Sequence, residues 1–307
     1  MIKKFDNTMW YAGTGASVGI GNSSSTSWAS LSTVFNRITS DGRVVKQIVL
    51  SAGSMSILCT DNTIWNTGYG SYGQLGNGSW DDSISSFVQG TVPNGITPSS
   101  IVGLFLMNGF ISTEGLLYYT GAVAGVGTTD MTIYNRYTLC SQVPNTYRVL
   151  DYFSNASYFG IAIAQNKSTS RVYSYTGGGQ YYGQLANGST ASTYISLRQT
   201  TQPSGDIIRC GVGYSYFSHH IITSTGVYAA GQNTEAEHIG QLGTGIQSNA
   251  STYTKCVIPA EMNMNNVYVT STTYRTYLTD GYHVYSTGQY TSEGGIASNS
   301  FVKDSPI

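Results

Sequence analysis

The sequence predicts an all-β fold of about six repeated units, and three observations carry that reading. Short runs rich in Val, Ile, Tyr and Thr are punctuated by Gly and Asn, the pattern of strands and tight turns. No stretch holds a 3.6-residue apolar period over three turns, as an amphipathic helix would. A single anchor pattern returns about every 55 residues, and a fixed period of that size marks a repeat architecture.

The anchor is an apolar residue, then Trp or Tyr, a short gap, Ala or Thr, and Gly. It reads Met9-Trp10-Tyr11-Ala12-Gly13, Ile64-Trp65-Asn66-Thr67-Gly68, Leu117-Tyr118-Tyr119-Thr120-Gly121, Val227-Tyr228-Ala229-Ala230-Gly231 and Val284-Tyr285-Ser286-Thr287-Gly288. A copy one residue longer runs from Val172 to Gly177. The six anchor glycines, Gly13, Gly68, Gly121, Gly177, Gly231 and Gly288, are spaced by 53 to 57 residues. A second signature follows the anchor: Gly73-Gln74-Leu75-Gly76, Gly183-Gln184-Leu185-Ala186 and Gly240-Gln241-Leu242-Gly243, with shorter echoes at Ile20-Gly21, Val126-Gly127 and Ile296-Ala297.

Before each anchor stand two strands and a tight turn. Val45 to Val49, Met55 to Thr60 and Asp61-Asn62 form one set, and Ile207 to Cys210, Ile221 to Thr223 and Thr225-Gly226 another. Val267 to Thr270, Thr276 to Thr279 and Asp280-Gly281 form a third. Asp-Gly and related pairs tolerate positive φ and favour such turns. An outer strand follows the Gly-rich loop, at Ser85 to Val88, Ile133 to Leu139, Tyr194 to Leu197 and Tyr253 to Val257. Four strands per unit fit a propeller blade, which buries its faces only by stacking on its neighbours. The expected domain is therefore a single β-propeller over residues 1–307. Only 12 residues precede Gly13 and 19 follow Gly288, too few for a full repeat. This favours six blades with the termini sharing one incomplete blade, and leaves a five-bladed ring with a spare half-blade as the alternative.

The Gly-Gln-Leu-Gly motif after a Trp/Tyr-x-x-Gly strand resembles the repeat of the regulator of chromosome condensation family, over nearly the whole chain. That resemblance implies a β-propeller, usually of seven blades, serving as an interaction scaffold. This chain has six anchors, and a His in the strand before the turn occurs in one unit only, at His219-His220. The resemblance transfers no ligand residue by residue, since fold does not carry function.

Charge narrows the partners. Lys+Arg number 14 against Asp+Glu 15, a net charge of -1, and charged residues are 9% of the chain. A phosphate backbone needs clustered Lys and Arg, so nucleic acid is not an expected partner. Neither is an anionic membrane surface. The most apolar run, Ile101 to Phe110, is broken by Gly103, Asn108 and Gly109 and is far short of the roughly 20 residues that span a bilayer, so no membrane insertion is expected. The N-terminus, Met1 to Thr8, has two lysines and no apolar stretch of a signal peptide. At 40% hydrophobic and 12% aromatic the chain does not have the composition of a disordered one. Cys59, Cys140, Cys210 and Cys256 form no C-x-x-C pair and read as small buried strand residues. Six N-x-[ST] sequons, at Asn22, Asn77, Asn155, Asn166, Asn187 and Asn249, are expected by chance in so Asn- and Ser-rich a chain.

Catalytic signatures are missing. Gly68-Tyr69-Gly70-Ser71-Tyr72-Gly73 matches G-x-G-x-x-G, but a dinucleotide site needs a helix to follow, and Gln74-Leu75-Gly76-Asn77-Gly78 is no helix start. There is no G-x-S-x-G and no H-E-x-x-H. No enzyme activity, cofactor or metal is expected. Glu235, Glu237 and His238 lie in the longest anchor loop. A carboxylate–imidazole set is a metal donor set, but they read as a solvated loop tip or binding contact. Trp80, Asp81 and Asp82 form a second acidic tip. His219 and His220 are adjacent in a strand, so their rings point to opposite faces.

Tyrosine is the informative residue, with 25 copies. Tyr72, Tyr181, Tyr182, Tyr214, Tyr216, Tyr274, Tyr277 and Tyr290 fall in or beside expected loops. Tyr with Ser, Gly and Asn gives rigid contact area and adaptable hydrogen bonding, the composition of binding surfaces. Tyr181 and Tyr182, after three glycines that read as a free loop, are the leading candidates, together with Trp80, Asp81, Asp82, Glu235, Glu237 and His238. The Gly/Ser/Thr/Asn/Tyr bias also resembles bacteriophage fibre and tail proteins. The expected role is a non-enzymatic virion component, a fibre, collar or surface decoration. Its partners would be other virion proteins or a host surface protein or glycan. The alternative is a cytoplasmic protein-binding inhibitor or adaptor.

Overall fold

The computed structural model describes residues 2–3, 9–14, 24–31, 38–39, 41–51, 53–104, 106–123, 132–155, 159–212, 217–234, 239–272, 275–289 and 298–304. They form antiparallel sheets of consecutive strands. The first sheet holds Ile2–Lys3, Met9–Thr14 and Ser24–Ser30 (β1–β3). The second holds Val45–Ser51, Ser54–Cys59, Ile64–Gly68 and Ser83–Gln89 (β4–β7), and the third Pro98–Leu104, Met107–Ser112, Leu117–Val123 and Thr132–Leu139 (β8–β11). The fourth is Tyr147–Asn155, Phe159–Asn166, Val172–Gln180 and Thr193–Gln199 (β12–β15). The fifth is Ile207–Val212, Ser218–Thr223, Gly226–Gly231 and Ala250–Lys255 (β16–β19). The sixth is Tyr268–Ser271, Arg275–Thr279, Val284–Gly288 and Ser298–Lys303 (β20–β23). A short 3-10 turn lies at Met264–Asn266. Among the described residues no helix is long and apolar enough to cross a membrane.

Every strand foreseen from the repeat is present, and in the expected order. The incomplete blade expected to be shared by the termini falls partly on residues 1, 4–8 and 305–307, outside the described ones. Among the described residues the three-stranded sheet takes all its strands from the N-terminal side, while Ser298–Lys303 pairs with Val284–Gly288 in the sixth sheet. The chain divides into two compact units. One, Met1–Val123 with Met131–Ser141, carries the first three sheets; the other, residues 124–130 with Gln142–Ile307, carries the last three.

In the first unit, strand β5 is buried on both faces. Alternation sends its side chains to two cores. Met55, Ile57 and Cys59 join Tyr11, Leu31 and Ile38, whereas Leu58 joins Ile64, Ile101, Phe110, Tyr118 and Tyr137. In the second unit β17 does the same. Ile221 packs with Phe159, Ile161, Leu185 and Ile207, and Ile222 with Leu242, Leu278, Tyr285 and Phe301. Cores between consecutive sheets are the physical form of the repeat. Cys59, Cys140 and Cys256 are buried thiols, and Cys210 is half-buried.

Each Gly-Gln-Leu motif touches the next sheet of its own unit. Gly73 has φ +76° and a Cβ there would collide with Tyr134 and Asn135; Gly183, at +88°, would strike Ser251; Gly240, at +80°, would strike Ser298. Left-handed backbone and the close approach both exclude a side chain. Leu75, Leu185 and Leu242 are fully buried beside these glycines. Leu75→Asp is therefore expected to cost several kcal/mol by burying an unpaired carboxylate, read from a denaturant melt. A loss within about 0.5 kcal/mol, the range of a surface site, would contradict this placement.

Candidate functional site

The loops that follow the anchor strands share one hydrogen-bonded frame. The anchor glycine sits at a bulge with left-handed φ: Gly68 at +113°, Gly121 at +96°, Gly231 at +120° and Gly288 at +105°. In the fourth sheet the geometric counterpart is Gly178, at +112°, one residue beyond Gly177. The second and fourth loops align at an offset of 110 residues, although Gly68 pairs with Ser83 and Gly178 with Ile195, and in the fifth sheet Gly231 pairs with Ala250.

Three bonds recur in the second and fourth loops. Tyr72 N donates to Gln74 Oε1 at 3.0 Å, and Tyr182 N to Gln184 Oε1 at 2.9 Å. Asn77 Oδ1 accepts from Ser79 N at 3.1 Å, and Asn187 Oδ1 from Ser189 N at 3.0 Å. Gly78 N reaches Asn135 O of the next sheet at 2.7 Å, and Gly188 N reaches Ser251 O at 2.7 Å. The Asn-Gly-Ser sequons at Asn77 and Asn187 are thus Asx turns that the frame requires. The carbonyl of the motif leucine is buried in each loop and takes a different donor each time. Asn66 Nδ2 serves Leu75 O at 2.8 Å, Thr176 Oγ1 serves Leu185 O at 2.6 Å, and His220 Nε2 lies 3.3 Å from Leu242 O.

On this frame the second loop displays Tyr69, Tyr72 and Trp80, which are 42%, 39% and 49% exposed. Beside them stand the exposed Asp81 and Asp82. Asp82 Oδ1 accepts from Gly70 N at 2.7 Å, and Asp81 Oδ2 from Ser79 Oγ at 2.5 Å. The structure brings these five side chains into one loop, of which the sequence had singled out Tyr72, Trp80, Asp81 and Asp82. Tyr69 was missed, although it directly follows the anchor glycine, the position that signals it.

The fourth loop corrects an expectation. Gly177, Gly178 and Gly179 are not a free loop but the end of β14, with Gly177 opposite Gly160 and Gly178 opposite Phe159 and Ile195. Tyr181 and Tyr182 are half-buried against Phe217, with ring centroids at 5.8 and 4.9 Å. Tyr277 likewise lies within β21. Glu235, Glu237 and His238 fall outside the described residues, as do Tyr214, Tyr216, Tyr274 and Tyr290.

His219 and His220 do face opposite sides. His219 stacks on Phe159 and bonds Tyr253 OH at 2.9 Å, and Tyr253 OH lies 3.0 Å from Ser174 Oγ. Ser174, Thr200 and Gln202 extend the chain of contacts. Every member is buried or half-buried, so the network is a packed polar layer between the fourth and fifth sheets. Burial lowers the His219 imidazole to about 3, with the neighbouring His220 adding to the shift, and lowers His220 to about 4. Among the described residues no three His, Cys, Asp or Glu side chains group as metal ligands. One open concavity of about 620 Å³ lies between the Asp61-Asn62-Thr63 turn and residues 89–97. Its one ionisable group, Asp61, is already held by Thr63 and Arg43.

No family model matches the sequence. Solved structures do match its fold, among them the following three. Human WBSCR16 is 13% identical with a TM-score of 0.71, covering 97% of this chain and 77% of that one. Yeast RCC1 (Prp20), solved bound to Kap60, is 12% identical with a TM-score of 0.50, covering 96% of this chain and 82% of that one. Prp20p from Saccharomyces cerevisiae, described with its binding to Gsp1p and histones, is 12% identical with the same score, covering 96% and 85%. The neighbours are β-propellers of the RCC1 type, and this is the fold of the chain.

Two outcomes follow from this geometry. Tyr182→Ala should cost about 1 kcal/mol through the lost Phe217 contact, whereas Trp80→Ala should stay within about 0.5 kcal/mol in the same melt. The two histidines are neutral in the fold but bind protons when unfolded, so stability should fall as pH drops from 6.5 toward 4. His220→Gln, which keeps a donor for Leu242 O, should flatten that slope. An unchanged slope in urea melts would show that His220 does not titrate in this way.

Proposed function

We propose that the chain is a non-enzymatic binding propeller of about six blades, a single domain over residues 1–307, that engages a protein partner through the loops after its anchor strands. The observation that carries this reading is the second loop. Its backbone is tied down by three bonds that recur in the fourth, yet it turns three aromatic rings and two carboxylates to solvent. Exposed rings on a rigid frame are the usual energetic centres of interfaces, because little entropy is lost when they are covered. The yeast RCC1 structures support a protein partner in general, since one is a complex with Kap60 and the other concerns binding to Gsp1p and histones. For the setting we infer a virus particle, with a neighbouring virion protein or host surface protein or glycan as partner. Only the Gly/Ser/Thr/Asn/Tyr bias supports it. A cytoplasmic inhibitor or adaptor is the second reading, and the yeast proteins favour it. The Tyr181-Tyr182 pair, packed on Phe217, remains proposed as a flanking contact.

The test is sedimentation of the tagged chain with purified particles, beside Trp80→Ala and Tyr72→Ala variants. Binding that each variant weakens by about tenfold or more, as hot-spot residues do, with melting unchanged, supports a loop-mediated role in the particle. A chain that ignores particles but holds a cellular protein through Trp80 supports the adaptor. Full retention of partner binding in both variants would remove the second loop from the function.

A further inference from the structure

Asparagine followed by glycine is prone to close into a succinimide ring, because glycine has no side chain to shield its amide nitrogen from the asparagine Cγ. The chain holds four such pairs: Asn77-Gly78, Asn94-Gly95, Asn108-Gly109 and Asn187-Gly188. As dipeptides they are alike, and the fold separates them.

Three are locked. Gly78 N donates to Asn135 O and Gly188 N to Ser251 O, each at 2.7 Å. Their asparagine side chains are held as well. Asn77 Oδ1 accepts from Ser79 N at 3.1 Å and Asn187 Oδ1 from Ser189 N at 3.0 Å, while Asn187 Nδ2 donates to Gln180 Oε1 at 2.6 Å. Asn108 is fully buried in β9, where its Nδ2 donates to Gln74 O at 2.8 Å and its Oδ1 accepts from Ser51 Oγ at 2.7 Å. Reaction at these three needs their bonds to open first. The two Asp-Gly pairs, which can close the same ring, are also tied. Gly42 N bonds to Thr39 O at 3.0 Å beside the Asp41–Arg43 ion pair. Gly281 N bonds to Thr279 Oγ1 at 3.1 Å, and Asp280 accepts from Tyr282 N and His283 N.

Asn94-Gly95 is different. Ile96 N donates to Pro93 O at 3.2 Å and Gly95 has φ +78°, so residues 93–96 form a type II turn with this pair at its tip. Both residues are exposed, and a Cβ built on Gly95 would meet nothing within 4 Å. Neither the Asn94 side chain nor Gly95 N is hydrogen-bonded to a described residue. The Asn94 amide can therefore swing toward Gly95 N without losing a bond.

We propose that Asn94 is a site of spontaneous deamidation, and that the fold confines the reaction to this one of the four pairs. Solvent base removes the Gly95 amide proton, and the nitrogen attacks Asn94 Cγ. The new Cγ–N bond forms, the Cγ–Nδ2 bond breaks, and Nδ2 leaves as ammonia with a proton from water. Water then adds to one carbonyl of the succinimide and opens the ring, leaving aspartate or isoaspartate with no net oxidation or reduction. The product places a new carboxylate in the concavity that Asn94 lines, where Asp61 is otherwise the one acid.

The experiment incubates the full chain in heavy-oxygen water, folded and, in parallel, unfolded in urea. Digestion in ordinary water follows, so that only conversion before digestion carries the label, and the four Asn-Gly peptides are compared by mass spectrometry. In urea all four should convert at similar rates. In the folded chain Asn94 should keep close to its unfolded rate and convert at least about tenfold faster than Asn77, Asn108 and Asn187, which must wait for local opening. The Asn94 rate should rise with pH, as loss of the amide proton requires, and the labelled product should separate into aspartyl and isoaspartyl peptides. Asn94→Gln, whose ring would need one more atom, should stop conversion there with melting unchanged. Asn77 or Asn187 converting as fast as Asn94 in the folded chain would overturn the proposal. So would an Asn94 that stays intact in the fold while it converts in urea.

Discussion

The structure depends on one close approach: the first glycine of the Gly-Gln-Leu motif against the outer strand of the next sheet. Gly73, Gly183 and Gly240 all adopt left-handed φ there and all lie where a Cβ would strike backbone. That contact lets the following leucine drop into the core between sheets. It also brings Gly78, Gly188 and Gly245 N–H within bonding distance of Asn135, Ser251 and Asn299 carbonyls. A loop that would otherwise be a flexible connection becomes part of the packed interface between sheets, and what it displays to solvent is held in place.

The constraint is geometric, which explains why the motif is strict in some letters and loose in others. The leucine carbonyl must have a donor because it is buried; Asn66 and Thr176 serve it from the same position, two residues before the anchor glycine, and His220 serves it from the strand paired with that position. His220 meets the need at the cost of burying an imidazole that must stay neutral, and it therefore links that part of the fold to pH. Positions that face only solvent are free. Trp80-Asp81-Asp82 in the second loop stand where the fourth has Thr190-Ala191-Ser192, and the frame below is the same.

Most of the fold could be read from the sequence because the repeat supplies independent copies of each signal. The boundaries of β5 and β11 were legible to within a residue from turn residues and β-branched runs, whereas β17 begins at Ser218, three residues before the Ile221 that the β-branched run suggested. What escaped depended on contacts distant in sequence. The glycines before Tyr181 look like a free loop on their own, and only pairing with Phe159 and Ile195 makes them strand. Tyr181 and Tyr182 look exposed until Phe217 is folded beside them. The one-residue shift from Gly177 to Gly178 is a bulge, which spacing alone does not locate. Of the site, Trp80, Asp81 and Asp82 stood out as a charged, aromatic interruption in a neutral chain, whereas Tyr69 gained meaning only from the loop geometry.

Amide hydrogen exchange at Gly78, Gly188 and Gly245 tests the central claim most directly. These N–H groups sit in loops, where exchange is ordinarily fast. The account predicts protection comparable to that of β5 and β17, because each is bonded to a carbonyl of the next sheet. Exchange at loop rates, with the strands still protected, would show that the loops do not lock sheet to sheet and would contradict the account.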